Sequence, residues 1–128
     1  MIMPYKNVLT IVSANSDNLE NYFRKIFNDI RSSGSKKTSI NVFTDLNYSN
    51  LVTIVREALL ENIDIGYELY LWRKEEVKKF FDYIGKTELD GLLIYCDDEN
   101  RVFISKIIDN LPNNIKSNLI KDYCRRSS

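Results

Sequence analysis

Apolar residues in this chain occur either in short unbroken runs or in longer stretches that repeat every three or four positions, and the two kinds alternate. The run Gly91-Leu92-Leu93-Ile94-Tyr95-Cys96 is opened by glycine and stopped abruptly by Asp97-Asp98. A run of that kind reads as a strand buried on both faces in the middle of a parallel sheet. Asn7 to Val12 is β-branched and almost wholly apolar, and predicts a second interior strand. Ser39 to Thr44 alternates in part, with Asn41 interrupting, and predicts a strand less deeply buried. Gly66 to Trp72 separates into a Tyr67/Leu69/Leu71 set and a Glu68/Tyr70/Trp72 set. One of its sides is wetter, which places it at a sheet edge.

Helical periods lie between these runs. Leu19, Tyr22, Phe23, Ile26, Phe27 and Ile30 form one continuous face, with Asp17 and Glu20 at capping-box spacing before it and Gly34 just beyond it. Leu51, Ile54, Val55, Ala58 and Leu59 mark a second helix, capped by Ser49 or Asn50 and stopped near Asn62. Val77, Phe80, Phe81 and Ile84 mark a third, ended by Gly85. After Asp98 the pattern forks. Ile104, Ile107, Ile108 and Leu111 keep a helical period, the favoured reading; the alternative is an α+β fold with a hairpin over 92–105. Beyond the break at Pro112, Ile115, Leu119, Ile120 and Tyr123 predict a short closing helix, and Arg125 to Ser128 are expected to fray.

Strand and helix in strict alternation require crossover connections between parallel neighbours. The expectation is therefore an α/β fold: a single-domain three-layer sandwich over residues 1–128, its mostly parallel four-stranded sheet covered by helices on both faces. The two most apolar strands belong at its centre.

Charge changes this picture little. Lysine plus arginine and aspartate plus glutamate number 18 each, so no global field draws the chain to nucleic acid or to an anionic membrane. The absence of histidine removes the commonest general base, the commonest metal ligand and the histidine of a serine or cysteine triad. Cys96 and Cys124 lack CxxC spacing and are read as two buried free thiols in a reducing cytoplasm. The start Met1-Ile2-Met3-Pro4-Tyr5 has no signal-peptide core and no stretch is of membrane-span length, so a cytoplasmic protein is expected. Heavy use of Ile, Asn, Lys and Tyr with no Gln points to a genome poor in G and C, such as a virus, phage, plasmid or low-GC bacterium.

In an open parallel sheet, ligands bind outside the carboxyl ends of the strands. That rule singles out Asn15 and Ser16 after the first strand, Asp45 after the second, Arg73 after the third, and Asp97 and Asp98 after the fourth. Acids on neighbouring loops could hold magnesium while Arg73 or Lys74 meets a phosphate. Acids also cap helices and fill turns, and that local role is the stronger expectation here. Response-regulator receivers share the strand–helix alternation but carry acids directly after the first strand, where this chain has Ser13-Ala14-Asn15. Neither GxGxxG nor GxxxxGK[ST] occurs, and no cofactor or metal is expected. Tyr70 and Trp72 on the edge strand are candidates for an interface with a partner protein or a second copy. Arg73, Lys74, Lys78 and Lys79 beside those aromatics are candidates for single-stranded nucleic acid, a binding mode diluted by Glu68, Glu75 and Glu76. The expected function is a non-catalytic interaction module. A small-molecule or nucleotide-phosphate site, and a weak nucleic-acid site, stand behind it.

Overall fold

The structure, a computed structural model, describes residues 5–124; the expected fraying of Arg125 to Ser128 lies outside the described residues. Its strands are β1 (Val8–Ser13), β2 (Lys37–Phe43), β3 (Gly66–Trp72), β4 (Gly91–Cys96) and β5 (Leu119–Asp122). They form one all-parallel sheet in the order β3-β2-β1-β4-β5. Register is set at the base, where Val8 stands opposite Thr38 on one side and Gly91 on the other. At Gly91 a Cβ would come within 3.0 Å of the Tyr5 ring, so glycine there lets the chain enter β4 beneath an aromatic.

Because side chains alternate, each strand feeds both faces of the sheet. Val8, Val12, Ile40, Val42, Leu93 and Tyr95 face α1 (Ser16–Ser32) and α2 (Tyr48–Leu59). Leu9, Ile11, Phe43, Leu92, Ile94 and Cys96 face α3 (Val77–Gly85), α4 (Arg101–Asp109) and the single turn α5 (Asn113–Lys116). The α1 stripe of Leu19, Phe23, Ile26, Phe27 and Ile30 is completely buried. Each such side chain contributes about 1.5–3 kcal/mol from burial. Just past the C-cap Ser33, Gly34 takes a left-handed φ of 83°, as its position after the last periodic residue predicts.

Some expectations change, and the fork after Asp98 closes on the favoured helix. The sheet has a fifth strand: Leu119 and Ile120 lie in β5, not in a closing helix, and only α5 is helical there. The stretch after Asp98 is helical, so the hairpin over 92–105 does not form. Helix α1 is capped by Asn15, whose side chain accepts from the Asn18 N–H, and α2 by Asn47, which accepts from Asn50; Asp17, Ser49 and Asn50 sit within the first turns. Cys96 and Cys124 are joined by a disulfide, with Cα atoms 4.8 Å apart, so they are not free thiols and give no argument for a reducing compartment.

That disulfide is half of what holds β5. On the opposite face Tyr123 stacks on Tyr95 with ring centroids 4.9 Å apart, and Lys121 Nζ meets Asp29 Oδ1 at 3.0 Å. Asp29 is only 3% exposed. A carboxylate so deep needs partners to offset its lost hydration. It has two, since the Tyr95 hydroxyl donates to Oδ2 at 2.5 Å. A short strand is thereby pinned to α1 and β4 from both sides of the sheet.

Candidate functional site

At the carboxyl edge, the sheet order reverses direction between β1 and β4, the position where open α/β sheets place ligands. Here the two loops bond to each other. Asp97 Oδ2 accepts the Asn15 N–H at 2.8 Å, Oδ1 accepts from Asn100 Nδ2 at 2.6 Å, and the Asp97 N–H donates to the Ser13 carbonyl at 3.2 Å. At the entry to α1, where an anion would sit on free N–H groups, Asp97 holds the N–H of the N-cap Asn15 and the Asn15 side chain accepts that of Asn18. Beside it lies a cleft of about 370 Å³ whose lining includes Ser16, Asp45, Lys74 and Glu99. With one cation against two acids on its wall, the cleft disfavours a phosphate.

The other carboxyl-edge candidates are occupied locally. Asp98 pairs with Arg101 one turn on, and Asp90 stands at the opposite end of β4, where it accepts the N–H groups of Lys6 and Asn7. Among the described residues no group of three or more Cys, Asp or Glu is arranged to hold a metal ion, so Asp45, Asp97 and Asp98 do not converge. The Arg73 N–H donates to Glu76 Oε1 at 2.9 Å, which holds the Glu76 carboxyl below its usual range. Lys74 Nζ lies 5.2 Å from the centre of the Phe103 ring, and Lys79 pairs with Glu76 at 3.5 Å. Lys78 is exposed. Of the aromatics named beside these bases, Tyr67 lies on the α1/α2 side of the sheet, while Tyr70 and Trp72 lie on the α3 side.

The Tyr70 and Trp72 rings are half-buried under α3. The Tyr70 ring lies 4.3 Å from that of Tyr83, and Trp72 packs edge-on against Phe80 at 6.0 Å. Beneath them the buried Asn41 accepts from Trp72 Nε1 at 2.9 Å and donates to the Ser39 carbonyl at 3.2 Å, and Ser39 Oγ lies 2.6 Å from the Tyr83 hydroxyl. Asn41, an interruption in the apolar pattern of β2, is therefore the acceptor that lets tryptophan lie on this face. The Tyr70 hydroxyl donates to Glu68 Oε2 at 2.7 Å, and that carboxylate, with partial burial and the neighbouring Tyr83, raises the phenol above its ordinary range. Tyr70 and Tyr83 also line a concavity of about 920 Å³, which opens beside β3.

What the side-chain pattern leaves out is the backbone of β3. The Gly66 N–H donates to the Lys36 carbonyl and the Trp72 carbonyl accepts from Thr44, so even-numbered residues of β3 direct their polar groups toward β2. The N–H and C=O of Tyr67, Leu69 and Leu71 therefore point away from the sheet, and β3 pairs with β2 alone among the described residues. The strand has no proline, lysine or bulge to blunt it. The alternation that predicts an edge cannot say which residues face outward, because that depends on register against β2.

Residues 10–125 match the model of a family described as a family of unknown function (DUF5751). A crystal structure described as that of a hypothetical protein from Sulfolobus tokodaii is 69% identical over 97% of this chain and 100% of that one, with a TM-score of 0.93. Curated proteins returned no match. Among the described residues no helix is long and apolar enough to cross a membrane.

Proposed function

The chain belongs to DUF5751, a family of unknown function, and on that footing we propose that it is a non-catalytic interaction module, binding a partner protein or a second copy by adding a strand to the free edge of β3. One observation carries the reading: a seven-residue edge strand offers outward N–H and C=O groups at three alternating positions. Such an edge is a template for an added strand, in which main-chain hydrogen bonds supply affinity and flanking side chains supply selectivity. The concavity lined by Tyr70 and Tyr83 beside it offers aromatic area of the kind enriched at interfaces. The carboxyl-edge cleft supports a phosphate ligand less well, since the Asp97 carboxylate stands at the N-cap of α1 and Asp45 and Glu99 line the cleft beside it.

Panning displayed random heptapeptides against the protein tests this. The expected binders lose affinity in Leu69→Pro and keep it in Asp97→Asn. Binders indifferent to Leu69→Pro, or a thermal midpoint raised by magnesium or a nucleotide, would overturn the reading.

A further inference from the structure

Resting on that reading of the β3 edge, we propose that its occupant is a second copy of this chain, its β3 antiparallel to the first about a twofold axis at Leu69. A twofold axis makes one surface serve both partners, so the strand must be complementary to itself when reversed. Gly66-Tyr67-Glu68-Leu69-Tyr70-Leu71-Trp72 meets that condition in one register.

With Leu69 opposite the partner's Leu69, Tyr67 stands opposite the partner's Leu71. The outward set is Tyr67, Leu69 and Leu71, so every outward N–H and C=O finds its mate in a hydrogen-bonded pair. The side chains agree on both faces. Toward α2, Tyr67 meets the partner's Leu71 and the two Leu69 side chains meet each other. Toward α3, Glu68 faces the partner's Tyr70, a carboxylate against a phenol, and Gly66 leaves room for the partner's Trp72. In the free chain Glu68 already accepts from its own Tyr70, which shows the two groups at bonding height on one face.

Neighbouring registers fail. Centring the axis on Glu68 sets two carboxylates face to face, which is destabilising. Centring it on Tyr70 pushes Tyr67 opposite the partner's Arg73, beyond the strand end.

Sedimentation velocity of the full chain, from micromolar to sub-millimolar concentration, reads the outcome against the 15.0 kDa of one copy. The wild type is expected at twice that mass and Leu69→Pro at one copy. Leu69→Pro removes an N–H that bonds nothing within the chain, a position where an edge strand tolerates proline. Glu68→Lys, an exposed substitution that leaves the core alone, should weaken pairing roughly tenfold through its two symmetric contacts. Should Leu69→Pro unfold, the register is read from crosslinking. Leu69→Cys should form a reducible dimer under mild oxidation, because its Cα lies about 5.5 Å from its mate. Tyr67→Cys should not, its like residue being about 13 Å along the strand.

A monomeric wild type, a dimer untouched by Glu68→Lys, or crosslinking through Tyr67→Cys and not Leu69→Cys would each overturn the proposal. A monomer that still binds selected peptides at β3 removes the second copy and leaves the interaction module standing. Absence of both removes the two together.

Discussion

Asp97 and Asp29 are carboxylates in very different settings, and each organises its neighbourhood by accepting hydrogen bonds. Asp97 joins the loops after β1 and β4 through the Asn15 N–H and the Asn100 amide. Asp97→Ala should cost about 1–2 kcal/mol in urea denaturation. Asp29 is satisfied by Tyr95 and Lys121, and the consequence is a pH dependence at the alkaline end. Burial first, then the bond to Asp29, raises the Tyr95 phenol above its ordinary value near 10; the bond to Asp29 first, then that to Tyr123, raises the Lys121 ammonium above 10.5. Groups with raised values stabilise the fold fully below their unfolded values and lose that contribution as pH rises through the folded ones. The thermal midpoint should therefore fall as pH climbs past about 10. Tyr95→Phe should be less stable by about 1–3 kcal/mol at neutral pH, having orphaned one Asp29 oxygen. Its alkaline decline should be shallower, and denaturation at the two pH values checks both.

At the scale of elements, the strand β5 shows what a linear pattern cannot carry. Leu119 and Tyr123 are four apart and imitate a helical face, yet β5 is held by an ion pair to α1, a ring on β4 and a disulfide to the end of β4. All of these partners are distant in sequence, and the cysteines, 28 positions apart, have no motif spacing. The strands and helices that could be read were those whose burial leaves a local period: the α1 stripe, the apolar runs of β1 and β4, the glycine after α1. The caps fell two or three residues before expectation, with Asn15 and Asn47 the turning residues in place of Asp17, Ser49 or Asn50, because an asparagine side chain accepts the first-turn N–H as well as those do. The disulfide closes a loop of that length, and loop-closure entropy puts its contribution at about 3–4 kcal/mol. Cys124→Ser should lower stability by that amount in guanidinium, with amide exchange rising first in β5.

For the whole molecule, the order of strands decides which surfaces are open. The alternating pattern of Gly66 to Trp72 made β3 recognisable as an edge, but the direction of its polar backbone groups follows from the Gly66 and Trp72 bonds to β2 and was invisible before register was known. At the carboxyl edge the named residues were rightly placed on adjoining loops, yet their mutual bonding could not be read from type and position. If pairing through β3 rests on backbone bonds and on contacts that include no ion pair, raising salt should change self-association little, whereas contacts to phosphate would weaken steeply. Sedimentation at low and high salt separates the two.

The two margins of the sheet are not alike. Where β3 is seven residues long and unbroken in register, β5 has four, a register break against Leu92/Leu93, and Lys121 and Asp122 in its span. On the proposed pairing, a molecule with one adhesive margin and one guarded margin stops growing at two copies. Were β5 to come away, each such pair would display a β4 margin at either end, largely apolar and six residues long. Polymerisation would then have no natural terminus. On that pairing the bond between Cys96 and Cys124 should guard solubility as well as stability: warmed with a dithiol reductant, the protein should scatter light at temperatures where the oxidised form stays clear.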